Sequence, residues 1–183
     1  MKGPQRIADE WLVLRAQDRD ADAMRRLVDR WNGRLYRHAL NMTGDADAAR
    51  DVSQEAWLGI LKRLSKIDDP AAFPAWAYRI TNHKAVDWIR RASRRRQHHT
   101  PLTGDLPATT SSTSDDRDET TRRVHAALRK LSVDERALLS MHYLNDLSTA
   151  EIAIALGIAR GTVKSRMHRA RQNLKPYLEG DHP

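Results

Sequence analysis

The chain has 183 residues, with 32 Lys+Arg against 24 Asp+Glu, a formal net charge of +8 and no cysteine. The missing cysteines exclude disulfides, thiolate metal sites and cysteine nucleophiles, and no apolar run approaches the roughly 18 residues a membrane span needs. Asp9 and Glu10 interrupt the stretch where a signal peptide would be apolar, so the expectation is a cytoplasmic protein with a polyanionic partner and no membrane insertion.

Met24, Leu27, Val28, Trp31, Leu35 and Ala39 recur three or four residues apart, which predicts a long helix with one buried stripe. Thr43-Gly44 breaks it. Asp45 is then a natural N-cap for a second helix, with Ala49, Val52, Ala56, Ile60 and Leu64 inward and a stop before Asp68-Asp69-Pro70. A third helix is predicted from about Ala71 to Arg95, with Phe73, Ala77, Ile80, Val86 and Ile89 on its inner side. No segment alternates like a strand, so residues 1–96 read as a small helical bundle.

Residues 97–121 are rich in Ser, Thr, Pro, Gly and Asp and carry no helical period. They read as a flexible linker. A coil of that length holds its ends about 25 to 30 Å apart, enough for two domains to engage separate sites. Its acids, Asp105, Asp115, Asp116, Asp118 and Glu119, face Arg117 alone, so positive charge gathers in the flanking segments.

In residues 122–183, Val124, Leu128 and Leu131 open a helix, and Leu138, Leu139 and Met141 to Leu144 belong to the next. Ser148 and Glu151 have capping-box spacing for a short helix through Leu156. Gly157-Ile158-Ala159 makes a tight turn, and Gly161-Thr162 opens a last helix to about Tyr177. Short helix, glycine turn, second helix is a helix-turn-helix. The predicted fold class is therefore all-α, two small domains with the helix-turn-helix in the second.

Val163, Met167, Ala170 and Leu174 place the inner side of the last helix, leaving Arg160, Lys164, Ser165, Arg166, His168, Arg169, Arg171 and Gln172 outside. No acid occurs from Ile152 to Leu178. A solvated helix usually mixes signs, because like charges one turn apart repel, so phosphate is the favoured counter-charge over a merely hydrated face. A helix fits the major groove, where Lys and Arg can donate to guanine and Ser to either partner. A second cluster, Arg90, Arg91, Arg94, Arg95 and Arg96, exceeds what a helix C-terminus requires. Phe73, Trp76, Tyr78, Asn82 and Trp88 precede it, a composition suited to stacking and hydrogen-bonding unpaired bases; Phe73 and at least one Trp are equally expected in the core.

With Val52, Ala56 and Ile60 turned inward, Gln54, Trp57, Leu58 and Leu61 make an outward apolar patch edged by acids, and such a patch suggests a partner. The competing reading packs Trp57 under the N-terminal helix.

Asp47 through Trp57, then Phe73, Trp76, Ile80, Asn82, Asp87 and Arg90, then Leu147 through Ala153 and Gly161 through Arg171 resemble three successive signatures of the extracytoplasmic-function sigma factors of the sigma-70 family. The resemblance implies that residues 1–96 are sigma region 2, which binds core RNA polymerase and recognises and melts the minus-10 element. It implies that residues 122–183 are region 4, which reads the minus-35 element. The implied partners are promoter DNA and core polymerase, through its β′ coiled coil and β flap, and family members are commonly held by an anti-sigma factor. Asp51, Gln54, Glu55, Trp57, Leu58 and Leu61 fall on the polymerase contact. Lys66, Phe73, Trp76, Asn82, Arg90, Arg91, Arg94 and Arg95 fall on minus-10 recognition. Lys164, Ser165, His168 and Arg169 match base-facing minus-35 positions, with Arg160, Thr162, Arg166 and Arg171 nearer the phosphates.

The alternative is an autonomous helix-turn-helix regulator that binds duplex promoter DNA without polymerase. An enzyme is disfavoured. Asp45 and Asp47 sit where helix starts favour acids, and no His-Glu-x-x-His arrangement occurs. No catalytic residue, metal or cofactor is expected.

Overall fold

The structure, a computed structural model, describes residues 3–98 and 116–179, with the side chains of 96–98 and 116–120 left aside. Among the described residues every regular element is helical. Most of the linker read at 97–121 lies outside them.

Helix α1 (Pro4–Gln17) starts on a proline, whose missing N–H is harmless in a first turn. No periodicity was read there, yet the helix buries Leu12, Val13 and Ala16 against α2 (Ala21–Thr43). Its buried Asp9 accepts from Arg30 Nε at 2.7 Å, which pairs a charge that would otherwise be costly to bury. Gln17 Nε2 donates to the carbonyls of Leu64 and Ile67, tying α1 to the far end of the bundle.

Asp20 caps α2 by accepting from the backbone N–H groups of Asp22 and Ala23, and Gly44 ends it at φ 72°, a left-handed conformation that glycine adopts without steric cost. Asp45 caps α3 (Ala46–Arg63) through Ala48 N–H at 2.7 Å, and a 3-10 turn (Leu64–Lys66) follows. A second 3-10 turn (Pro70–Ala72), capped by Asp69, leads into α4 (Phe73–His98). The break at Thr43-Gly44, the Asp45 cap and the stop before Asp68 match these boundaries because each is written in local residues, while α4 begins at Phe73 behind the Pro70–Ala72 turn rather than at about Ala71. Trp31 joins α2 to α4: its ring meets Phe73 edge-on at 5.2 Å and Tyr78 at 6.0 Å. A Cβ on Gly59 would lie 3.3 Å from Ile80 Cγ2, so α3 and α4 approach closely there.

Helix α5 (Asp116–Lys130) begins inside the segment read as linker. Ser132 and Glu135 form a full capping box at α6 (Val133–Leu139), which passes into a π turn (Ser140–Leu144). Ser148 and Glu151 form the second box, at α7 (Thr149–Leu156). Gly157 at φ 67° closes α7, and α8 (Arg160–Glu179) follows.

The two groups of helices share a continuous core in which Tyr78 and Phe73 meet the same cluster as Leu138, Met141 and Ile152. Helix α4 lies against α7, and α2 touches α5, α6 and the π turn.

Candidate nucleic-acid and polymerase interfaces

On α8, Val163, Met167 and Ala170 are buried and Leu174 half-buried, as the 4, 3, 4 spacing predicts. Arg160, Lys164, Ser165, Arg166, His168, Arg169 and Arg171 are all exposed on the other side, and Thr162 is half-buried. Some of their hydrogen-bonding capacity is used locally. Arg160 Nε donates to Thr149 Oγ1 at 3.3 Å, Ser165 Oγ to Thr162 O at 3.1 Å and Arg171 Nε to Met167 O at 3.3 Å. The Glu135 carboxyl is held below the usual range by the Ser132 hydroxyl, then by Asn173, with Arg169 adding its positive charge nearby.

Helix α4 divides the predicted minus-10 set. Arg90, Arg91, Arg94 and Arg95 are exposed, as is Lys66, and Trp76 is half-buried against Phe73. Phe73 itself is fully buried, which corrects its assignment to a base-stacking surface: its ring packs edge-on against Trp31 and has no face left for a base. Asn82 is 6% exposed and turned toward α2.

Its neighbour there is His38, fully buried and edge-on to Tyr78 at 5.3 Å. Burial pushes the imidazole down to about 4, and a contact with Asn82 offsets only part of that; Asn82 Oδ1 and His38 Nε2 each lack a well-formed hydrogen bond. Burial likewise raises the Tyr78 phenol. His38 and Asn145 went unnoticed in the sequence, where nothing distinguishes an inward histidine from a surface one, and Tyr78, grouped there with residues suited to stacking bases, is buried with its hydroxyl donating to Asn145 Oδ1.

On α3, Asp51 and Gln54 are exposed, Glu55 is half-exposed and pairs with Lys84 Nζ at 3.1 Å, and Leu58 and Leu61 are 58% and 45% exposed. Trp57 departs from the predicted patch. It is 8% exposed, and its indole nitrogen donates to Asn32 Oδ1, so the ring belongs to the contact between α2 and α3. The competing reading is the one the structure supports, because the first helix read in the sequence, the one carrying Met24 to Ala39, is α2.

Two further surfaces had no counterpart in the sequence reading. Ile7, Trp11 and Leu14 form an exposed apolar stripe on α1, legible in hindsight from their spacing of 4 and 3. A groove of about 590 Å³ beside α5 and α8 is lined by Val124, Leu128, Leu139, Leu144, Leu174 and Leu178 among others.

A Sigma-70 region 2 family model matches residues 27–95 and a Sigma-70, region 4 model matches residues 121–174. The chain is 36% identical over 163 residues to the ECF RNA polymerase sigma factor SigL of Mycobacterium tuberculosis, covering 87% of this chain and 91% of that one. It is 28% identical to SigW of Bacillus subtilis, covering 87% and 90%. Among solved structures, CnrH in complex with the cytosolic domain of CnrY matches with a TM-score of 0.71 at 26% identity, over 96% of this chain and 99% of that one. The sigma factor RpoE bound to the anti-sigma factor NepR from Bartonella quintana shares the fold, with a TM-score of 0.70 at 22% identity over 87% and 98%. With regions 2 and 4 matched in order and an ECF sigma factor aligned along most of its length, the chain belongs to the ECF sigma factors and directs transcription initiation by RNA polymerase.

Proposed function

We propose that residues 1–96 act as region 2 and residues 122–183 as region 4, with 97–121 between them, and that the protein works in the cytoplasm as a non-catalytic subunit of the polymerase. The observation that carries the site assignment is the outer face of α8: cationic and polar side chains, exposed, with no acid from Ile152 to Leu178. Lys164, Ser165, His168 and Arg169 read minus-35 base edges in the major groove, and Arg160, Thr162, Arg166 and Arg171 hold backbone phosphate. Trp76 stacks on an unpaired minus-10 base, Asn82 hydrogen-bonds it, and Lys66 with Arg90, Arg91, Arg94 and Arg95 holds the strand.

Asp51, Gln54, Glu55, Leu58 and Leu61 dock on the β′ coiled coil, and the β flap meets region 4. The apolar groove beside α5 and α8 is the surface available to it. CnrH is solved with the cytosolic domain of CnrY; a cognate anti-sigma factor holds this chain in the same manner.

The test is transcription in vitro from genomic fragments with purified core polymerase, followed by start-site mapping. Starts preceded by a shared pair of spaced elements, and lost without this protein, support the reading. Tight binding of an operator by the free chain, with no stimulation of core, would establish the autonomous regulator instead.

A further inference from the structure

We infer that His38 is a positioning residue for minus-10 recognition: it holds the Asn82 amide by its oxygen, so that Asn82 meets an unpaired base as a hydrogen-bond donor and disfavours adenine there. This rests on the reading of Asn82 as a minus-10 base contact.

A chain of polar groups fixes each orientation in turn. Asn145 follows the π turn. Its Nδ2 donates to Ser140 O at 3.1 Å, a group that can only accept, and its Oδ1 accepts from the Tyr78 hydroxyl at 3.1 Å. The same Nδ2 lies 3.2 Å from His38 Nδ1. An amide donor there requires Nδ1 to be the unprotonated nitrogen, so the proton of the neutral, wholly buried ring sits on Nε2. Two further ties keep Asn145 over His38: Arg136 Nη1 donates to Met42 O at 2.7 Å, and Arg6 pairs with Glu151 at 2.8 Å.

On its other side the ring contacts Asn82 of α4. His38 Nε2 and Asn82 Oδ1 are both sealed from solvent without a well-formed bond, and with the tautomer fixed one is a donor and the other an acceptor. Unpaired buried polar atoms are costly, and a small turn of either side chain pairs these two. Reversing the amide would set Nδ2 against an N–H, donor against donor. Nδ2 is therefore the end left for a ligand. Asn82 lines a cleft of about 760 Å³ with His83, Val86 and Arg90 of the same helix, within the range of about 300 to 1,000 Å³ that small-molecule sites occupy, so there is room for a nucleobase beside it. An unrestrained Asn amide reads adenine with both ends at once, donating to N7 and accepting from N6. With Oδ1 committed to His38, the adenine amino group finds no acceptor. Guanine, cytosine and thymine each carry a carbonyl oxygen that accepts from Nδ2; adenine has none.

The test uses holoenzyme assembled with the full-length chain, titrated with fluorescent single-stranded minus-10 oligonucleotides that carry each of the four bases at each position in turn. The quantity read is the ratio of affinities among bases at one position, which a partial loss of folded protein leaves unchanged. The native protein is expected to disfavour adenine about tenfold at one position. His38→Gln, whose amide can face Asn82 with either end, and His38→Leu, which releases Oδ1 altogether, should both remove most of that preference and leave the other positions as they were. A preference unchanged in both His38 variants overturns the positioning role, and so does a native protein that takes adenine as readily as the other bases at the position Asn82 reads. Asn82→Ala separates this inference from the reading beneath it. If it alters base preference nowhere, Asn82 is not a base contact and the site assignment falls together with the inference. If it flattens one position while both His38 variants retain the preference there, the assignment stands and the inference alone fails.

Discussion

Trp57 Nε1 donates to Asn32 Oδ1 across 3.1 Å, and this single bond turns the indole off the α3 surface and onto α2. Trp57→Ala therefore removes a buried ring and leaves a cavity, at a cost of about 3 to 5 kcal/mol in chemical denaturation. Leu58→Asp and Leu61→Asp touch exposed positions and should leave stability within about 0.5 kcal/mol. Their effect should fall on core polymerase affinity instead, by more than about 1 kcal/mol in a binding titration.

Arg169 and Arg171 are expected to behave differently although both are exposed on α8. Arg169→Ala in the holoenzyme should cost about 1 to 3 kcal/mol on the preferred minus-35 sequence and little on a variant at the one base pair it reads. Arg171→Ala should weaken all sequences alike and lower the salt slope of binding by about one. A panel of singly substituted promoter duplexes, titrated at several salt concentrations, separates the two.

Phe73 and Trp76 pack on one another at 6.4 Å yet divide along the same line. Phe73→Ala should lower stability by about 3 to 5 kcal/mol, since the ring is wholly buried. Trp76→Ala should instead cost about 1 to 3 kcal/mol in holoenzyme binding to a single-stranded minus-10 oligonucleotide, the worth of one stacked base.

Acid should loosen the protein through His38. Burial holds its folded pKa near 4 against an ordinary 6.5, so the unfolded chain takes the proton first. The stability His38 contributes is complete above pH 6.5 and falls as pH drops from 6.5 through 4, by at most roughly 3 kcal/mol at about 1.4 kcal/mol per unit. Glu135 and Glu151, both lowered, add their own loss at more acid pH. Melting temperatures between pH 7 and pH 5 should fall in the native chain and fall less in His38→Gln, which cannot titrate there.

What the sequence disclosed is what is written locally. Asp20, Asp45, Ser132 and Ser148 each accept from a backbone N–H two or three residues on, and at Asp45 and Ser148 that signal placed the helix start. The inner and outer faces of α8 were legible for the same reason: four apolar residues at fixed spacing suffice. Failures came where the answer depended on a distant residue. Trp57 is settled by Asn32 and Phe73 by Trp31, neither on its own helix. Helix α1 escaped notice because its buried stripe includes Asp9, a polar residue made tolerable inside by Arg30. The His38–Asn145 contact joins residues 107 positions apart, and no local pattern announces it.

Arg136 does more than reach Met42. The same guanidinium donates to the carbonyls of Leu128, Arg129 and Leu131, finishing the end of α5. Glu151 similarly closes the start of α7 through Ser148 while it meets Arg6. Both ties are borrowed from groups already employed inside region 4, so withdrawal from region 2 strips neither helix of its terminus. What would be uncovered on withdrawal is therefore the apolar core the two groups share, where Phe73 and Tyr78 meet Leu138, Met141 and Ile152, and not the end of any helix.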